Sequence, residues 1–401
     1  MKIIARKPLY IYEPEGRYAG RSVRTLQQSR TYHSAAARAS TNSPPPVTSP
    51  PPSALRSAPA FGNGRPRVRH RRRGLHRSWI VKLLLARGYA VRGTSRAAAG
   101  DPRNAHLWAL DGAAERLTMV RADLLDRAGL RAAFDGCHGV IHTAAPIVGD
   151  PAEIIEAVIT GTRNVVEAAA DAGVRRLVLS STISAMYMDP RRDPDAPLDD
   201  SSWSDLDYCK NTKNWYSYAK TVGEKSAWDA ARARGLDMAS VIPVIVLGEV
   251  LGPALNTSSE HITKYLNGEV STYANASHAY VHVMDAAEAH VRVLEVPGAG
   301  GRRYVCAESS LHRGELCRAL AELFPEYPIP TRCKDEVSPP KKGYKFTNQP
   351  LKDLGMKFTP LREYLYEAVK SLQQKGFLHN NTGTKVHANN DCNTVFQTLH
   401  F

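Results

Sequence analysis

The chain has 401 residues, 43% of them hydrophobic, which suffices for one large α/β domain or two ordinary ones with a real core. A formal charge of +14 would point to a nucleic-acid or anionic-membrane partner if it were spread over the fold, but residues 1–77 hold 16 Lys/Arg against 2 Asp/Glu, and residues 78–401 balance at 37 each. The six cysteines (Cys137, Cys209, Cys306, Cys317, Cys333 and Cys392) lie far apart, with no CxxC pair and no His-rich spacing, so reduced thiols and no metal site are expected. No run reaches the roughly eighteen apolar residues of a membrane span, and the start lacks the apolar core of a secretory signal. These features exclude a membrane protein and predict a cytoplasmic one without a nucleic-acid partner.

In chain order, residues 1–64 are rich in Arg, Ser, Ala and Pro, culminating in SPPPVTSPPPS at 43–53, and predict a disordered basic extension. Being hydroxyl-rich and nearly free of acid, this segment also has the composition of a transit peptide, which would direct the chain to a plastid. Residues 65–247 alternate strands with helices. SWIVKLLLARG reads as a helix ending at Gly88; YAVRGTS, LTMVRADLLD, HGVIHTAAP, RRLVLSST and MASVIPVIVLG read as strands; and longer helical patterns such as AEIIEAVITGTRNVVEAAADAG separate them. The pattern predicts an α/β fold with a Rossmann-type doubly wound parallel sheet, whose right-handed crossovers bring every strand's carboxyl end to one edge, where ligands bind. Residues 248–378 lose this rhythm and predict a smaller C-terminal substrate-binding lobe. Residues 379–401 are polar and patternless and predict a disordered tail.

The most informative string is KNWYSYAK at 213–220, with Tyr216 and Lys220 one helical turn apart and so on one face. A cation there favours the phenolate, lowering the Tyr216 pKa toward the range of a proton donor, and the lysine can also hold a ribose hydroxyl. YxxxK alone reads equally well as a core tyrosine beside a solvated lysine. Context favours the catalytic reading, because a hydroxyl-rich turn, SSTISAMYMDP at 180–190, follows a buried strand, and the neighbouring strand ends in HTAAP.

Together with YANASHAYVHVMD, CAES, LHRG, FPEYPIPTRC and KDLGMKFTP in the same order, these strings resemble the extended short-chain dehydrogenases/reductases, and among them the plant cinnamoyl-CoA reductases, over residues 78 to about 378. The resemblance implies an NADP(H)-dependent oxidoreductase of phenylpropanoid metabolism that reduces hydroxycinnamoyl-CoA thioesters, or a related bulky aryl carbonyl, to aldehydes, acting as a monomer or weak homodimer. It implies a catalytic set of Thr182, Tyr216 and Lys220, with Thr182 standing where the family has serine. It also places Thr143 and Pro243 at the cofactor, Lys220 on the nicotinamide ribose, and His261, Lys264 and Arg313 on the acyl-CoA substrate. His261 and Lys264, three apart on a predicted helix, and Arg313 would also suit a solvated face. Ser217, Ala219, Ile242, His282 and Met284 depart from the family's usual residues, and the last three are expected near the cleft.

Arg96 and Arg103 follow the second strand, where a basic group can pair with the 2′-phosphate of NADP, whereas NAD enzymes carry an acid. The resemblance puts Asp123 at the place of the family's adenine-contacting acid; it also reads as a helix N-cap, and the two roles can coexist. The segment before Ser78 should be a first strand and a Gly-rich turn, yet it reads RVRHRRRGLHR at 67–77. Aligned on the following helix, the family's three glycines fall at Arg71, Gly74 and Arg77, so only Gly74 keeps its cofactor role; a locally shifted reading frame would produce this change. Arginines here would crowd the pyrophosphate and pull the segment away from the sheet, predicting weak NADPH binding and, in the extreme, a catalytically impaired pseudoenzyme. The same basic run would also suit nucleic-acid phosphates, although the neutral body offers no surface to extend it.

Overall fold

The computed structural model describes residues 75–96, 100–143 and 150–378 in full and residues 9–12 as backbone. In chain order its strands are β1 (Leu9–Tyr12), β2 (Val91–Ser95), β3 (Leu117–Arg121), β4 (Gly139–His142), β5 (Arg176–Ser180) and β6 (Met238–Pro243). There follow β7 (Ile245–Leu247), β8 (Thr272–Tyr273), β9 (Ser277–His282), β10 (Arg303–Cys306), β11 (Ser309–His312) and β12 (Arg332–Cys333). Seven strands form one sheet in the order β10-β6-β5-β4-β1-β2-β3, every neighbouring pair parallel. This is the doubly wound sheet expected from the alternation.

Strands β4, β5 and β6 are buried at every residue. That explains their near-continuous apolar runs, since helices cover both faces of a parallel sheet. The helices Pro151–Asp171 and Trp215–Arg234 pack together, as do Leu75–Ala86 and Val283–Glu295. The first of these starts at Asp150, whose carboxylate accepts the Ala152 amide at 2.9 Å, with proline in its first turn. The helix Trp215–Arg234 ends at Gly235, which takes the left-handed φ of +58° that a C-terminal cap requires. Two smaller sheets, β11-β9-β7 and β12-β8, lie from Ile245 onward.

The middle of the main sheet departs from expectation. The sequence predicts disorder over residues 1–64 and a first strand and turn within 67–77. Instead Leu9–Tyr12 is the central strand, pairing in register with Val91–Thr94 of β2 on one side and Gly139–His142 of β4 on the other. The sheet therefore keeps its middle member. LYIY can fill the position because a buried parallel strand needs only a short apolar, β-prone run, and the arginine-rich segment 67–74 has none; those eight residues lie outside the described ones, as do residues 379–401.

Leu75, His76 and Arg77 form the first turn of the Leu75–Ala86 helix rather than part of a loop. Arg77 was expected to draw its segment away from the sheet. It is buried instead, and burial pushes its guanidinium down to about 9.

Candidate active site

The carboxyl edge of the sheet collects the expected residues. Arg96 directly follows β2, Asp123 follows β3, Thr143 follows β4, Ser181 and Thr182 follow β5, and Pro243 ends β6. Gly74 lies outside the described residues. Asp123 holds its own turn, accepting the Leu125 amide at 3.0 Å, while Asp126 is the N-cap of the following helix, Arg127–Phe134. Arg103 is engaged by a near neighbour, its Nε lying 2.6 Å from Asp101 Oδ1.

Thr182 caps a single 3-10 turn, Ile183–Ala185, and its hydroxyl accepts the Ser184 amide at 3.4 Å. On the helix side, Lys213 adopts a left-handed φ of +54°, and Asn214 then caps the helix Trp215–Arg234 by accepting the Ser217 amide at 3.1 Å. That entry sets Tyr216 in the first turn, with Lys220 one turn deeper. The Thr182 hydroxyl is close enough to the Tyr216 phenol to act on its ionisation. Tyr216 is 46% exposed overall, while loss of water around the hydroxyl pushes the phenol upward, opposed by Thr182 and reinforced by Tyr187. The expectation that Lys220 lowers the Tyr216 pKa is thus corrected: burial dominates, and the lowering partner is Thr182.

Lys220 is half-buried, and burial pushes its ammonium down to about 8 against the opposing pull of Glu224. His142 and His76 feel its charge, and both are pushed down to about 3, by burial first, so they stay uncharged. His76 also reaches Ser180 Oγ at 3.2 Å and stacks on His290 at 5.5 Å between centroids.

The substrate lobe brings together the three residues expected from sequence and adds others. His261 and Lys264 lie on the Thr257–Leu266 helix, and Arg313 opens the Arg313–Leu323 helix. His261 Nε2 lies 3.0 Å from the Tyr280 hydroxyl, Arg313 Nη2 lies 2.9 Å from His278 Nε2, and the two histidine rings meet edge-on at 5.2 Å. Burial holds His261 at about 3 and His278 at about 4, with Arg313 and Lys264 adding to the shift in each. The cluster is therefore two cations among neutral rings, and neither cation forms a salt bridge among the described residues.

Tyr187 and Tyr344 were missed. Their rings lie 5.1 Å apart, and Tyr187 is close enough to Tyr216 to act on its phenol. Tyr187 sits inside the recognised hydroxyl-rich turn, whereas nothing local marks Tyr344. Two of the departures expected near the cleft are buried. Ile242 is buried among Met186, Leu198, Ala279 and Val305, and His282 contacts Thr359 at 3.2 Å, Glu367 at 3.0 Å and the ring of Tyr364. Met284 is 48% exposed.

Comparison with known proteins agrees with this geometry. Residues 73–307 match the model of the NAD dependent epimerase/dehydratase family. The chain is 55% identical over 301 residues to cinnamoyl-CoA reductase 1 of Arabidopsis thaliana, covering 75% of this chain and 87% of that protein. Among solved structures it is similar to vestitone reductase from alfalfa, with TM-score 0.67 and 29% identity over 76% of this chain and 97% of that one. The fold alone is shared with a yeast methylglyoxal/isovaleraldehyde reductase complexed with NADPH, at TM-score 0.66 and 23% identity over 76% and 97% of the two chains. With a family match over more than half its length and relatives this similar over most of theirs, the chain belongs to the NAD dependent epimerase/dehydratase family, in its cinnamoyl-CoA reductase-like branch.

Proposed function

We propose that the protein is an NADPH-dependent reductase of hydroxycinnamoyl-CoA thioesters. The observation that carries this reading is the pairing of two hydroxyls, Thr182 and Tyr216, with an ammonium one helical turn away at the carboxyl edge of a parallel sheet. The residues present fit the cofactor: the half-buried Lys220 forms no salt bridge among the described residues, which leaves its donors for ribose hydroxyls. Arg96, directly after β2, would pair with the 2′-phosphate. When bound, NADPH supplies the hydride.

The chain's own residues handle the substrate oxygen and the proton. Thr182 and Tyr216 hold the thioester carbonyl, and as negative charge develops on its oxygen Tyr216 gives up its phenolic proton. The resulting thiohemiacetal collapses by breaking the C–S bond, releasing an aldehyde and the coenzyme A thiol. Lys264 and Arg313, neither of them in a salt bridge among the described residues, suit the phosphates of coenzyme A. The Tyr187–Tyr344 pair offers an aromatic wall beside Tyr216 for the aryl group.

The test is turnover of feruloyl-CoA by the purified chain with NADPH, beside Tyr216→Phe and a chain with residues 69–77 rewritten as VTGAGGFIG. Turnover that Tyr216→Phe abolishes is expected. Turnover in the rewritten chain alone would locate a fault in the arginine-rich segment and leave the reading intact, and none in either would overturn it.

A further inference from the structure

Directly beneath the catalytic set lies a buried charge that the reaction itself does not use. Glu224 follows Lys220 by one turn on the Trp215–Arg234 helix and is 2% exposed. Its carboxylate is gripped by a two-pronged contact from Arg303 of β10, Nε to Oε1 at 2.9 Å and Nη2 to Oε2 at 3.1 Å. Arg303 is 5% exposed and is held in turn. Its guanidinium lies 3.7 Å from the centroid of the Trp203 ring, and its Nη1 donates to the carbonyls of Asp200, at 3.2 Å, and Ser202.

The carboxylate has two further partners. Ser181 Oγ donates to Oε2 at 2.6 Å, and Trp228 Nε1 donates to Oε1 at 3.4 Å. Ser181 is the residue immediately before Thr182, and its amide is fixed to the Val241 carbonyl at 2.8 Å. Glu224 thus joins the turn carrying one substrate-facing hydroxyl to the helix carrying the other. A buried ion pair is weak evidence for stability, because desolvation offsets most of its attraction. A clamp this well satisfied on every side is better explained by what it orients.

We infer that Glu224, clamped by Arg303, is a positioning residue of the reductase site: through Ser181 it sets Thr182 against Tyr216, and its carboxylate supplies the negative charge that keeps Lys220 an ammonium. The inference rests on the reductase reading for its kinetic consequence only. Among the described residues, the groups coupled to Lys220 by charge are Glu224 from the same helix, His76 from the Leu75–Ala86 helix and His142 from β4, while Tyr216 lies one turn earlier. Both histidines stay neutral, so Glu224 is the anion opposing the burial of Lys220.

The experiment needs no turnover. Competitive acetylation of the full chain with acetic anhydride across a pH series, read by mass spectrometry, gives the midpoint at which Lys220 loses its proton. In Glu224→Gln, which keeps the shape but turns one accepting oxygen into an NH2 donor, the midpoint is expected to fall by about one pH unit, since one unit corresponds to about 1.4 kcal/mol of altered interaction. In Ser181→Ala the midpoint stays in place, while kcat falls at least about tenfold with KM for NADPH unchanged, as expected when stabilisation confined to the transition state is removed. Should Glu224→Gln fail to fold because Arg303 is left unpaired, the double variant Glu224→Gln/Arg303→Gln removes both buried charges and is read the same way. An unmoved Lys220 midpoint in a folded variant, or undiminished kcat in Ser181→Ala, overturns the inference. If Tyr216→Phe retains turnover, the reductase reading fails by itself and the Lys220 midpoint still decides the electrostatic half.

Discussion

Lys220 governs how the site should respond to pH. Its ammonium is the form that holds a ribose hydroxyl, and burial has pushed its pKa down to about 8, so the charged fraction shrinks as pH rises through that value. The pH profile of kcat/KM is therefore expected to fall on the alkaline side with a midpoint near 8, and Lys220→Arg, which stays charged throughout, should lose that limb in whatever activity it keeps. Arg96 is expected to set cofactor choice: Arg96→Ala should raise KM for NADPH about tenfold or more and leave KM for NADH nearly unchanged, and equal effects on both would count against the 2′-phosphate assignment. At this scale the sequence is legible wherever chemistry sits in one short string. Tyr216, Lys220 and Thr182 stand out because a helical turn and a strand end place them. Tyr344, Arg303 and His278 do not, because each acquires its meaning from a partner dozens of residues away.

Between elements, the contact that most constrains the site is the crossing of the helices Pro151–Asp171 and Trp215–Arg234. Gly223, between Lys220 and Glu224, faces Val158 so closely that an added Cβ would lie 2.5 Å from Val158 Cγ1. Val158 is itself 4% exposed and has little room to withdraw. Gly223→Ala should therefore push the catalytic helix outward and destabilise the protein by about 1–3 kcal/mol, seen as a drop of several degrees in thermal midpoint. Val158→Ala in the same chain should restore part of the loss; a neutral Gly223→Ala would show that the helices can separate freely. The apolar runs of β4, β5 and β6 are readable as strands because burial on both faces leaves little else they can be. Strand β1 is hidden, since four residues among charged and turn-forming neighbours carry no period, and a doubly wound sheet ordinarily has its first strand just before the first helix.

Across the whole molecule, the basic surplus and the centre of the sheet come from the same end of the chain. The extension expected to lie outside the fold provides Leu9–Tyr12, while the arginines that unbalance the composition lie mostly between this strand and the helix that follows it. Charge along the sequence is therefore a sound guide to the neutrality of the body and a poor guide to where the body begins.

That arrangement bears on the order of assembly. The central strand is synthesised first, yet neither of its partners exists until residues 91–95 and 139–142 have been made, and residues 13–74 intervene before the next described element. A sequence separation this long, in place of a turn of about six residues, adds roughly 2 kcal/mol of closure entropy at about 0.6 kcal/mol per doubling. The middle of the sheet should consequently zip last, after its two flanks have formed. Replacing residues 13–70 with a short linker is expected to speed refolding by about an order of magnitude while leaving unfolding nearly unchanged, as stopped-flow fluorescence of the buried Trp79 would report. Until that strand arrives, β2 and β4 present bare edges to each other and to other chains, which makes the nascent protein, more than the finished one, the species at risk of aggregation.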